Sequence, residues 1–290
     1  MTTPSAPHVE TFFDPATFTA TYVVHDPATR RAAIIDPVLD FNPRNARIST
    51  GSADRLLAYI AEQGLALDWL LETHAHADHL SAGDYLREKT GAPVVIGREI
   101  TRVQEVFARL FEADDVTPDG SQFDRLIDDG DHLPLGSLEI RVMHTPGHTP
   151  ADVSFHIGDA VFVGDTLFMP DYGTARTDFP GGSADTLCRS IRRILELPAD
   201  TRMFVGHDYL PAGRSEHRWE TTVAEQRQAN IHIHDGVSDA AYVALRRERD
   251  AALDAPALIL PSLQVNIRAG ALPPPSADGR VFLRLPVNVL

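Results

Sequence analysis

Three histidines and an aspartate fill four of six consecutive positions in His74-x-His76-x-Asp78-His79. Neutral imidazoles are the commonest protein metal ligands, and a carboxylate adds a hard anionic donor. Alternate residues of an extended loop can aim two imidazoles at one point, leaving Asp78 and His79 to face a neighbouring one. Three further candidates stand at the ends of expected strands: His148 in Thr-Pro-Gly-His-Thr, Asp165 in Val-Gly-Asp-Thr and His207 in Val-Gly-His-Asp-Tyr. Any one of them alone reads as a structural residue in a turn. Together with the first cluster they describe a metal site, because strand ends are where α/β sheets present their ligand-binding loops.

The elements that must position these residues are strands and helices in two similar halves. Thr19–His25 and Arg31–Asp36 are rich in β-formers around an Asp26-Pro27 turn. Ala53–Glu62 has helical spacing, stopped by Gly64. The short apolar strand Asp68–Glu72 runs straight into the histidine cluster, and a helix over Ser81–Thr90 and a strand over Pro93–Gly97 follow. Leu138–Met143 leads to His148. Val153–Ile157 and Ala160–Val163 form a hairpin that ends at Asp165. Leu187, Ile191, Ile194 and Leu195 mark one apolar helical face. Met203–Gly206 is a strand ending at His207. The pattern predicts a four-layer αββα sandwich. Beyond it, Glu216–Ala229 and Asp239–Leu253 are expected to be helical, and Pro256–Pro275 shows no helix. With no low-complexity linker, residues 1–290 read as one domain, with 216–290 a C-terminal flank packed on the core.

Composition narrows the partners. Lys and Arg total 26 against 41 Asp and Glu, a net charge of −15. Such a surface repels nucleic acid and anionic lipid, so neither is an expected partner, and an anionic small substrate needs a local cationic pocket. No run approaches the roughly 20 apolar residues of a membrane span. Met1 to Glu10 has neither the basic and apolar regions of a signal peptide nor the Arg-rich character of a transit peptide. The single cysteine, Cys188, excludes an internal disulfide and a cysteine-based metal cluster and fits a reducing, cytoplasmic setting. It is expected to be a buried, inert thiol. The eight histidines outside the motifs, His8, His25, His132, His144, His156, His217, His232 and His234, are expected to be structural or on the surface.

The ordered set His-x-His-x-Asp-His, His148, Asp165 and His207 resembles the metallo-β-lactamase superfamily over about Thr19 to Tyr209. Finer features resemble its persulfide dioxygenase branch: Ile35-Asp36-Pro37-Val38, Thr145-Pro-Gly-His-Thr-Pro150, Ala175-Arg176-Thr177-Asp178-Phe179, Gly206-His-Asp-Tyr209 and Asn266-Ile-Arg268. That resemblance implies oxidation of glutathione persulfide by O2 to sulfite and glutathione at one Fe(II) per chain. It implies His74, His148 and Asp165 as iron ligands, with His76, Asp78, His79 and His207 around them orienting ligands and water. It places Arg176 on a glutathione carboxylate and Tyr209 near iron and substrate. Ala175 departs from the glycine of many relatives, as does the longer Met169–Thr174 approach. Dimers are common in that branch, and a homodimer is compatible with the chain. The competing expectation is a thioester hydrolase of the glyoxalase II type. It would use a dinuclear zinc or iron site: His74, His76 and His148 on one metal, Asp78, His79 and His207 on the other, and Asp165 bridging.

Overall fold

The computed structural model describes residues 6–288, so the first five residues of the N-terminal segment discussed above lie outside it. Fifteen strands and seven helices are formed among the described residues. The first sheet has six strands, β1 (His8–Asp14), β2 (Thr19–His25), β3 (Arg31–Ile35), β6 (Ala66–Leu71), β8 (Val94–Gly97) and β9 (Arg125–Ile127), in that order. Its first two pairings are antiparallel and the rest parallel. The second sheet runs in sequence order through β10 (His132–Leu135), β11 (Leu138–His144), β12 (Val153–Ile157), β13 (Ala160–Phe162), β14 (Arg202–Phe204) and β15 (Glu220–Thr222), with only β13 and β14 parallel. A small third sheet joins β4 (Val38–Asn42) to β5 (Arg47–Ser49) and β7 (Leu80–Ser81).

Alternation along the strands explains the layers. Successive side chains point to opposite faces, and both faces here are apolar, as buried sheets require. Tyr22, Val24, Ile35, Leu71 and Val95 pack against Ile140, Val142, Phe155 and Phe162 between the sheets. Their neighbours Val23, Ile34, Leu70, Val94 and Ile96 face outward. They meet α1 (Gly51–Glu62), α2 (Gly83–Thr90), α3 (Ile100–Phe111) and α7 (Ile259–Asn266). On the other side Val161 and Met203 pack under α4 (Ala184–Ile194) and Tyr242 of α6 (Asp239–Asp250). The expected αββα sandwich is formed. Cys188 is buried in this outer layer, where burial, and then the Asp239 charge, push its thiol up to about 11.

Two expectations for the tail are corrected. Glu216–Ala229 is not one helix. Glu220–Thr222 pairs with β14 instead, and α5 (Val223–Ala229) starts only where the Thr222 hydroxyl accepts from the Glu225 amide. Pro256–Pro275 does contain a helix, α7. Pro261 sits in its first turn, where a missing N–H costs nothing.

The two sheets are also tied by one buried carboxylate. Asp26, after β2, accepts from the Ala28 amide (2.9 Å), the Thr29 hydroxyl (2.7 Å), and the Ser137 amide and hydroxyl (2.7 and 2.8 Å) of the β10–β11 turn. Burial alone would raise its pKa; these four donors overcome that and hold it at about 2. The unfolded value is about 3.9, so the group stabilises the fold by about 2–3 kcal/mol above pH 4. That contribution fades as pH falls towards 2. Asp26→Ala should therefore lower unfolding free energy by that amount at pH 7 in urea titrations. The gap to wild type should shrink at pH 3, and an equal gap at both pH values would refute the carboxylate's part in it.

Candidate metal centre

The histidine loop begins where β6 ends, and its shape is dictated by Asp36, the residue after β3. Asp36 is buried, and its carboxylate accepts from the Thr73 amide (2.7 Å), the Thr73 hydroxyl (2.8 Å) and His76 Nε2–H (3.0 Å). The Thr73 hydroxyl has then spent its hydrogen, so it accepts from His74 Nδ1–H at 3.0 Å. His148 is set by the Thr-Pro-Gly-His turn. Gly147 there, at φ +143°, lies so close to α4 that a Cβ would sit 2.4 Å from Leu187 backbone atoms. The Thr149 amide and hydroxyl bind the buried Asp152 carboxylate at 2.7 and 2.5 Å. Asp165 follows β13 and His207 follows β14, brought together because those two strands pair.

Every one of these histidines is pinned through one ring nitrogen. His148 Nδ1–H donates to the Arg176 carbonyl at 2.8 Å, and His207 Nδ1–H to the Phe18 carbonyl at 3.3 Å. His79 Nδ1 donates to Asp78 at 3.2 Å. In a neutral ring the other nitrogen then presents a lone pair, which is how outer partners prepare an imidazole for a metal. Four of those second nitrogens, His74 Nε2, His76 Nδ1, His79 Nε2 and His207 Nε2, are buried with no hydrogen-bond partner, and so is Asp165 Oδ1. Orphaned buried polar atoms cost too much to be accidental when five converge. The donor set fits a metal.

The donors fall into two neighbouring groups, beside a third cluster, Asp36, Glu72 and His76, in which His76 Nε2 is hydrogen-bonded to Asp36. His74, His148 and Asp165 offer ligand atoms all within 4.8 Å of one another, with His74 Nε2 and His148 Nε2 4.0 and 3.8 Å from Asp165 Oδ2. His76, Asp78, His79 and His207 form the other, with His207 Nε2 3.3 Å from both Asp78 Oδ2 and Asp165 Oδ1. Burial, with the charges of His76 and His148 next, holds His74 well below the ordinary histidine value; burial and His76 likewise lower His79. Both are therefore neutral. Burial also opposes an imidazolium at His76, but Asp36 and Glu72 outweigh it and raise that group, so metal binding there releases a proton.

A cavity of about 350 Å³, in the range of small-molecule sites, opens onto His148, Asp165 and Asp78. Phe168, Tyr172 and Tyr209 line it. Tyr209 stacks on His207 with ring centroids 5.4 Å apart, and burial, reinforced by Asp78 and Asp165, keeps its phenol protonated. Arg176 borders the cavity too, but its Nε and Nη2 hold Asp178 at 2.6 and 2.5 Å, and its Nη1 holds the Asp254 carbonyl at 2.8 Å. Arg249, exposed on α6, also lines the cavity and makes no ion pair among the described residues. His232 is a further wall residue. It accepts from the Thr174 amide at 3.1 Å through Nδ1, and burial, with the Arg249 and Arg246 charges, lowers it to about 4. Motif spacing singled out neither Arg249 nor His232, since both come from the tail and meet the site only through packing.

If Asp36 orients the loop, Asp36→Ala should weaken metal binding about 10–100-fold. Chelator competition on the purified protein measures this, and wild-type affinity in the variant would show that Asp36 only supports the fold.

The profile of the metallo-beta-lactamase superfamily matches residues 14–207. A probable metallo-hydrolase of Burkholderia pseudomallei is 52% identical, over 97% of this chain and 99% of that one. The protein named Glyoxylase B2 in Dictyostelium discoideum is 48% identical over 97% of each. The human mitochondrial persulfide dioxygenase ETHE1 is 34% identical over 76% of this chain and 74% of its own. Other relatives at 51–52% identity are longer, and the chain spans 65–66% of their length. Among solved structures, ETHE1 of Myxococcus xanthus is 32% identical with a TM-score of 0.73, covering 91% of this chain and all of that one. The chain belongs to the metallo-β-lactamase superfamily.

Proposed function

We propose that the chain is a mononuclear non-haem Fe(II) persulfide dioxygenase, converting glutathione persulfide, O2 and water to glutathione, sulfite and two protons. One observation carries this reading. His74, His148 and Asp165 form a compact trio of two imidazoles and one carboxylate, while the His76 donor falls into the other group. Two histidines and one carboxylate with open positions are the ligand set of non-haem Fe(II) oxygenases. Iron held there would supply the redox capacity that the oxidation of a sulfane sulfur requires. The likeness to two ETHE1 proteins, one by sequence and one by structure, supports the same choice.

The chain's own residues would do the rest. Two members of the trio, His148 and Asp165, line the cavity, so substrate entering it would reach the ligand set from that side. Tyr209, kept as a phenol, is a donor for the substrate sulfur. Asp78 and His207 would orient water from the second group. The anionic peptide must bind to a chain of net charge −15, and Arg176 and Arg249 supply cations at the cavity. Because Arg176 is already held by Asp178, Arg249 is the guanidinium free to take a carboxylate.

A second reading, a glyoxalase II-type thioester hydrolase, is favoured by the orphaned donors of the other group and by the Glyoxylase B2 relative. Asp165, together with the two donor groups, would hold the metals there, and their chemistry would be Lewis-acid activation of water.

Oxygen uptake with glutathione persulfide, set against thiol release from a glutathione thioester, separates the two. The dioxygenase reading expects uptake, about one iron per active chain and iron loss in His148→Ala. It also expects His207→Ala to keep most of its iron while losing rate. Two metals per active chain, with thioesterase activity and no O2 uptake, would replace it with the hydrolase. Tyr209→Phe should lower kcat with iron content unchanged. Arg249→Ala should raise KM about tenfold or more, the cost of one charge-assisted contact of ~1.5–3 kcal/mol.

A further inference from the structure

The metal loop is not held by its own half of the molecule alone. Asn266, the last residue of α7, is buried, and its side chain reaches the loop 185–190 residues earlier. Its Nδ2 donates to the main-chain carbonyls of His76 and His79, both at 2.8 Å, and its Oδ1 accepts from the Ser81 amide at 2.8 Å. Two carbonyls and one N–H admit only one orientation of the amide. Asparagine is the short side chain that supplies two donors and an acceptor from one rigid plane.

These contacts close a ring. The Ser81 hydroxyl donates to Glu72, Glu72 faces His76 Nε2 at 3.3 Å, and the His76 carbonyl returns to Asn266. The far side of α7 is fixed as firmly. Arg268 grips Asp115 through two nitrogens at 2.7 and 2.6 Å, and the Ile267 carbonyl accepts from Gln104 at 3.0 Å. The turn after α7 presses on the start of α2. At Gly270, φ +93°, a Cβ would lie 2.9 Å from the Ser81 carbonyl and the Asp84 amide. The segment is therefore built to bring Asn266 against the loop, beyond what burying an apolar face needs.

We infer that Asn266 is a positioning residue of the metal centre, fixing the backbone from which His76 and His79 present their ring nitrogens. The two carbonyls it binds belong to residues that carry partnerless buried ring nitrogens, in the loop that also bears His74 and lacks a strand ladder, where buried backbone groups need partners. Metal donors tolerate displacements of only about 0.2 Å. The role holds whichever reaction the site performs, and so stands apart from the dioxygenase reading.

Zn(II) affinity of metal-stripped protein, measured by competition with a chromophoric chelator, tests this without reference to turnover. Asn266→Ala and Asn266→Asp should each bind Zn(II) at least tenfold more weakly; the aspartate keeps the volume and the acceptor but loses both donors. Leu263→Ala, which opens a gap under the same helix but removes none of the loop's hydrogen bonds, should lower Tm yet bind Zn(II) within threefold of wild type. Wild-type affinity in both Asn266 variants, or equal weakening in Leu263→Ala, would overturn the role. So would failure of both Asn266 variants to fold when Leu263→Ala folds, because Asn266 would then serve the fold alone. Oxygen uptake may be absent throughout without touching this result.

Discussion

A single buried carboxylate, that of Asp36, stands between the sandwich and its chemistry. It leaves β3 at φ +52°, a backbone conformation that side chains other than glycine adopt at a cost. From there it gathers the Thr73 amide and hydroxyl and the His76 ring. Through the Thr73 hydroxyl the same charge reaches His74. Two imidazoles thus take their tautomers from one anion. The surrounding β-strands supply the rigidity that makes so small a contact decisive, since its main-chain amide binds the Leu71 carbonyl and its main-chain carbonyl accepts from Thr21. Remove the charge, and both sides of the donor set lose their reference.

The legible part of the site was the part carried by local sequence. His74, His76, Asp78 and His79 lie within one loop, and His148, Asp165 and His207 each follow an apolar strand, so type and spacing sufficed. The layers were legible too, because both sheets are apolar on both faces and the flanking helices are amphipathic. The structure draws the seven residues together around converging lone pairs, which spacing could only suggest. What stayed hidden depends on contacts between distant segments. Helix α7 is eight residues long, contains a proline and lies in a proline-rich stretch, so its helicity comes from packing on β7 and α3. The strand at Glu220–Thr222 exists because β14 offers it an edge. Arg176 stood out by its motif, yet the motif could not reveal that Asp178 binds its side chain or that its carbonyl orients His148.

The two donor groups share a wall rather than being separate. His207 Nε2 lies equally near Asp78 and Asp165, and Asp165 belongs to the other group. Occupation of one group therefore changes the charge felt by the other, at distances where a low-dielectric interior screens little. The cavity meets this shared region at His148, Asp165 and Asp78, with aromatic rings along its approach. Support and access are thereby separated by face: the donors' hydrogen-bond partners lie in the sandwich, and the cavity with its aromatic wall lies on the other side.

The hold of Asn266 on residues 76 to 81 also sets an order of events during synthesis. The loop is synthesised before the second sheet, while its partner Asn266 lies nearly two hundred residues further along the chain. Contacts of such sequence separation form late, because chain entropy must be overcome before they are gained. The metal loop is accordingly among the last parts of the molecule to reach its final geometry. Until α7 is made, a nascent chain carries these histidines without the Asn266 contacts that frame their loop.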